Sequence, residues 1–112
     1  MQSEDTLSES GYCKITWSGT GVYIQTTHRP VVIDLIRELM ETMPNVAATY
    51  TRFLDEGTPH PMDVYRRTTE IRLSKLDGRD ESVAFWLLQR MCALGWEPFQ
   101  MRGDEYHLRL IR

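Results

Sequence analysis

Long apolar runs are missing from this 112-residue chain. No stretch reaches the roughly 20 apolar residues that a membrane-spanning helix needs, so no membrane span is expected. Residues 1–10 lack the basic start and apolar centre of a secretory signal. Cysteine is scarce. Cys13 and Cys92 form no CxxC pair and have no histidine at zinc spacing, so they read as two buried, reduced thiols in a cytoplasmic or nuclear protein. Positive charge is in deficit, with 13 Lys and Arg against 16 Asp and Glu and a net charge of −3. Phosphate binding needs a concentrated positive field, so nucleic acid is not the expected partner. Gly19 and Gly21 lack the third glycine and the lysine of a phosphate loop. No cofactor and no metal are expected.

Catalytic groupings are also absent from the pattern. His28 precedes a helix start, His60 lies between two prolines, and His107 faces out from the last strand, none with a carboxylate or thiol at suggestive spacing. No serine stands in a nucleophile-elbow context. The expectation is a protein without enzymatic activity.

What the chain does have is regular alternation. Residues 1–10 are acidic and hydroxyl-rich and read as a disordered tail; residues 11–112 read as a single domain. Tyr12–Trp17 and Val22–Thr27 are rich in β-branched and aromatic residues, and the glycines between them make the pair a hairpin. Pro30 opens a helix whose Val32, Leu35, Ile36, Leu39 and Met43 recur at helical spacing. Pro44 breaks it. Residues 45–54 are read as a second short helix with Val46, Tyr50, Phe53 and Leu54 inward, and residues 55–62 as a loop. Within Val64–Leu76, Thr69, Ile71 and Leu73 alternate with Glu70, Arg72 and Ser74 as in a half-buried strand.

A helix capped by Asp80 or Ser82 runs to Leu94, and Gly95 supplies its left-handed stop. Ala84, Leu87, Leu88, Met91 and Leu94 form its stripe, with Phe85 and Cys92 at the edge. Trp86 falls on the far side with Gln89 and Ala93, where it either lies under another segment or anchors a contact with another molecule. Trp96–Met101 is a strand that Pro98 places at an edge or at its beginning. Arg102–Glu105 turn the chain into a terminal strand, Tyr106–Ile111, a candidate sheet edge open to pairing.

These elements imply an α+β fold: a two-layer, mainly antiparallel sheet of about five strands with two or three helices on one face. The expected core is Ile15, Trp17, Ile24, Val32, Ile36, Leu39, Ile71, Leu73, Leu87, Leu88, Met91, Phe99, Leu108 and Leu110. The expected function is a protein-interaction or assembly module that binds a protein partner or forms a homodimer. Its candidate contacts are Trp86, Gln89, Ala93 and Trp96 on the aromatic helix face and just beyond it, or a sheet edge. The alternatives are an RNA-binding module using Arg66, Arg67, Arg72 and Arg109, or a small enzyme of unidentified reaction.

From Thr68 to Arg112, the order of amphipathic helix, Gly95-Trp96-Glu97, strand, turn and closing strand resembles the small uncharacterised domains grouped as DUF4177. That resemblance implies the α+β arrangement of this segment and nothing about its activity.

Overall fold

The computed structural model describes residues 11–52 and 69–110. Residues 1–10, with the expected acidic tail, and residues 53–68, with Phe53, Leu54, the loop after them, Arg66 and Arg67, lie outside the described residues, as do the last two.

Three antiparallel hairpins are joined by two helices. The order is β1 (Tyr12–Ser18), β2 (Gly21–Thr26), α1 (Arg29–Thr42), β3 (Ala47–Arg52), β4 (Thr69–Ser74), α2 (Asp80–Ala93), β5 (Trp96–Arg102) and β6 (Glu105–Leu110). The hairpins make one six-stranded sheet in the order β3-β4-β2-β1-β6-β5. The β1/β2 hairpin is central. Each helix carries the chain from one hairpin to an outer strand of the next, so β3 and β5 are the two edges.

Register explains the core. Ile15 pairs with Ile24, Ile24 with Ile71, and Ile15 on its other side with Tyr106. Cys13 pairs with Leu108, and Val22 with Leu73. Side chains alternate along a strand, so these residues all project to one face. There they meet Val32, Leu35, Ile36 and Leu39 of α1 and Val83, Ala84, Leu87, Leu88 and Met91 of α2, all buried in one cluster. Burying such a side chain contributes roughly 1.5–3 kcal/mol. The one fully buried polar residue of the described chain, Thr26, accepts the His28 backbone N–H at 2.9 Å. Pro30 sits in the first turn of α1, where its missing N–H costs nothing. Gly95 ends α2 at φ 101°, a backbone that L side chains rarely adopt. No described helix is long and apolar enough to cross a membrane.

Several expectations are corrected. The stretch read as a short helix is β3, which pairs with β4 from Ala47 opposite Ser74 to Arg52 opposite Thr69. Thr49, Tyr50 and Thr51 suit a pleated strand, and β4 supplies unpaired backbone that a helix there would leave unsatisfied. The sheet therefore has six strands where about five were expected. Neither Asp80 nor Ser82 caps α2; Arg79 occupies the cap position without a side-chain bond, and Asp80 and Glu81 lie in the first turn. There they favour the positive end of the helix dipole. The terminal strand is no edge, since β6 lies between β1 and β5. Leu94 and Cys92 are exposed, beyond the reach of the sheet. Trp17 and Leu110 are only partly buried against the core. Phe99, expected in the core, is 47% exposed. Alternation from the buried Trp96 through Pro98 places Phe99 on the opposite face, and the bulge between Pro98 and Gln100 leaves it without a partner on β6.

Candidate functional site: the open sheet face and the β5 edge

Both helices cover one face of the sheet. The other face carries the remaining set of alternating side chains. Across it, Thr49, Arg72, Tyr23, Thr16 and Glu105 form one cross-strand row, and Glu70, Gln25, Lys14, His107 and Gln100 the next. The first row holds Arg72, whose guanidinium stands 5.6 Å from the centre of the Tyr23 ring.

At the β5 end of this face the aromatic residues converge. Phe99 lies 6.4 Å from the Tyr12 ring and 6.0 Å from His107, centre to centre, and the Arg109 guanidinium stands 5.7 Å from the Phe99 ring. A hydrogen-bonded chain runs beneath Phe99. Tyr12 Oη and His107 Nδ1 are 2.8 Å apart, and His107 Nε2 lies 2.9 Å from Glu105 Oε2. With the proton on Nε2, the ring donates to the carboxylate and accepts from the phenol. Lys14 Nζ stands 3.8 Å from the same carboxylate oxygen.

His107 therefore does have a carboxylate partner, contrary to the expectation from spacing. Glu105 is two residues earlier on the same strand, and period-two alternation places both on one face. Tyr12 is 95 residues away in sequence, and only the β1/β6 register brings it there. This group fixes the ring of His107 and the floor under Phe99. Its polar atoms are engaged with one another on a broad sheet face.

The edge itself adds exposed apolar surface. Met101 is 53% exposed, and among the described residues no strand pairs with the outer side of β5. Glu97 and Arg102 flank Phe99 and Met101, and Arg109 contacts Glu97 at 3.3 Å.

The residues expected at a contact surface fall in two places. Trp86, Gln89 and Ala93 share the outer side of α2. Trp86 is partly buried, with the Arg90 guanidinium 5.8 Å from its ring centre, and Arg90 also reaches Glu38 of α1 at 2.7 Å. Arg90 thus links Trp86 to α1. Phe85 (48% exposed) is the open apolar group beside that surface, while Leu94 (54%) is exposed at the C-terminal end of α2. Trp96 belongs to neither surface, being 4% exposed and packed edge-on against His28 with 5.3 Å between centres.

The expected arginine set is also split. Arg72 and Arg109 share the open face, on strands separated by β2 and β1, which is roughly 14 Å across the sheet. Lys14, Arg72, Arg102 and Arg109 are interspersed on that face with Glu70, Glu97 and Glu105. Both thiols were expected buried, and only Cys13 is; burial pushes it up to about 12, against a lowering bond to Thr26.

A concavity of about 170 Å³ lies at the other end of the sheet, lined by Thr42–Val46 with Lys75, Asp77 and Arg79. Lys75 and Asp77 hold positive φ beside it, at 61° and 55°. Among the described residues no three His, Cys, Asp or Glu side chains are grouped to hold a metal. Comparison with protein-family models, curated proteins and solved structures gives no match for this chain.

Proposed function

We propose that this chain is a non-enzymatic protein-binding module that receives an extended segment of a protein partner along β5. The observation that carries the reading is the position of Phe99 and Met101, both about half exposed, on the outermost strand. An edge strand offers a row of backbone donors and acceptors to another chain, and neighbouring side chains then select which chain is accepted. Tyr12, Phe99, His107 and Arg109 give that edge the composition favoured at protein interfaces: aromatic and guanidinium groups held by existing contacts. Their rings are already ordered by one another, so docking costs little side-chain entropy.

The balance of charge on the open face weighs against RNA. The four cations of that face are spread among three carboxylates, which dilutes their field, and the arginine–aromatic pairs serve a protein partner equally well. The outer side of α2, with Phe85 beside Trp86, is the second surface of the same general function.

A photo-crosslinking amino acid placed at position 99 or 101 of the full chain, and separately at position 85, distinguishes these surfaces in cells. Protein adducts from 99 and 101 are expected. Adducts from 85 alone overturn the edge in favour of the helix, and adducts from none of the three overturn protein binding by these surfaces.

A further inference from the structure

We infer that the strand received by β5 is β5 of a second copy, paired antiparallel about a two-fold axis. The inference rests on the reading of β5 as a docking edge and adds the partner and the register.

The bulge restricts the possible registers. Along β5, Glu97 lies opposite Arg109, Phe99 stacks against Tyr12 and His107, Gln100 lies opposite His107, and Arg102 lies opposite Glu105; these four project to the open face. Pro98 and Met101, opposite Leu108 and Tyr106, project to the helix-covered face. The facial sequence from 97 to 102 is therefore open, covered, open, open, covered, open. It reads the same in both directions. A strand with strict alternation over six residues lacks this symmetry.

In an antiparallel self-pairing, one register matches faces throughout: Glu97 opposite Arg102 of the other copy, Pro98 opposite Met101, and Phe99 opposite Gln100. A shift of one residue puts side chains of opposite faces together, the general penalty for a slipped register. A shift of two mismatches at the bulge, where Pro98 would meet Phe99 or Gln100 would meet Met101.

The matching register is also the one in which charges agree. Glu97 and Arg102 face each other twice, once at each end, and opposite charges placed directly across a strand pair are favourable. At the centre the two Phe99 rings come beside the axis on the open face, and on the covered face each Pro98 meets a Met101 that is now exposed. The axis runs perpendicular to the sheet, so the helices of both copies stay on one side and the sheet becomes continuous. Each contact is self-complementary, as a two-fold interface requires.

Charge exchange tests the register. Light scattering coupled to size exclusion, run over a concentration series, is expected to give a dimer for the unaltered chain. Glu97→Arg and Arg102→Glu should each weaken it by roughly tenfold or more, because each puts like charges across both ends. An equal mixture of those two variants should recover a one-to-one dimer, and so should the double variant. Met101→Lys, at an exposed site that the monomer fold tolerates, should also give a monomer with unchanged circular dichroism.

A dimer indifferent to these substitutions, or a mixture that does not recover association, overturns the proposed pairing. A strictly monomeric chain that forms adducts with a different protein from position 101 overturns the second copy and leaves the docking edge standing. A monomer without adducts ends both readings.

Discussion

Gly11→Ala gives a direct measure of whether Trp96 is a core residue. A Cβ at position 11 would lie 2.6 Å from Cη2 of Trp96, 2.9 Å from Cβ of Leu110 and 3.0 Å from Cε1 of His28. The backbone hydrogen bond from Leu110 N–H to the Gly11 carbonyl, at 3.2 Å, holds the segment in place. Trp96 is boxed in, with the His28 ring against its edge. The new methyl therefore forces the indole off its position, and overpacking of this kind costs about 1–3 kcal/mol. Loss of glycine entropy in the unfolded chain offsets about 0.4–1 kcal/mol. The expected net loss is about 1–2 kcal/mol. Trp96→Phe removes Cη2 and opens room for the methyl, at a cost of its own of roughly 1–2 kcal/mol. In that background Gly11→Ala should cost less, the contacts with Leu110 and His28 alone remaining tight, a coupling of about 1 kcal/mol in a double-mutant cycle. Urea unfolding followed by far-ultraviolet circular dichroism at fixed chain concentration measures all four proteins. Equal costs for Gly11→Ala in the two backgrounds, or stabilisation in the unaltered one, would refute the packing of Trp96 against Gly11.

Trp86→Ala should cost only about 1 kcal/mol, because the ring is partly covered and its Arg90 contact is solvent-exposed, and it should leave self-association unchanged; lost association in a folded variant would move the docking surface to α2. Under native conditions at pH 8, an alkylating reagent should modify one thiol per chain, the exposed Cys92, and both thiols after denaturation, as counted by intact mass. The Cys13 thiol titrates near 9.0 in the unfolded chain and about 12 when buried, so the unfolded state binds fewer protons between those values. Stability is full below pH 9 and falls as pH rises towards 12, by up to about 4 kcal/mol from this thiol. Cys13→Ala should reduce the drop in urea midpoint between pH 8 and 10.5, while Tyr106, raised by burial and then by Glu81, maintains a smaller slope of the same sign. An undiminished drop in the variant would remove Cys13 from the account.

The elements built on unbroken periodicity were legible in the sequence. The first hairpin follows from Cys13, Ile15, Val22 and Ile24, and α1 from its apolar stripe between Pro30 and Thr42, because local pattern and tertiary burial coincide there. Residues 47–52 were misread because Val46, Tyr50, Phe53 and Leu54 recur at helical spacing, and β4, the partner that decides the matter, is distant in sequence. Phe99 was misplaced for a different reason: it is out of phase with Trp96, so only one of the two can face the core, and the pairing with β6 that selects Trp96 is not visible in a single strand. On the candidate surface, Glu105 and His107 could have been paired from alternation alone. Tyr12 could not, since its place beside His107 depends on strand order.

The two edges of the sheet are managed by different means, and the difference bears on selectivity. At β3 the exposed Tyr50 ring has the Arg29 guanidinium 5.8 Å away, so a cation from the start of α1 stands over the strand. At β5 the devices lie within the strand itself: Pro98 removes one donor, the bulge at Phe99 breaks the alternation, and Glu97 and Arg102 charge its two ends. Such features discourage indiscriminate pairing of an exposed edge. An unbroken apolar edge would accept any extended chain in several registers. This edge penalises a partner whose faces change at the wrong residue or whose end charges have the wrong sign, and it leaves Phe99 and Met101 exposed for a partner that satisfies both conditions. Removal of Pro98 should therefore separate affinity from selectivity. Pro98→Thr restores a donor to the strand and should strengthen pairing, while association still depends on opposite charges at 97 and 102. If Pro98→Thr instead made the charge-exchanged variants associate as well as the unaltered chain, the bulge and the end charges would have no part in choosing the partner.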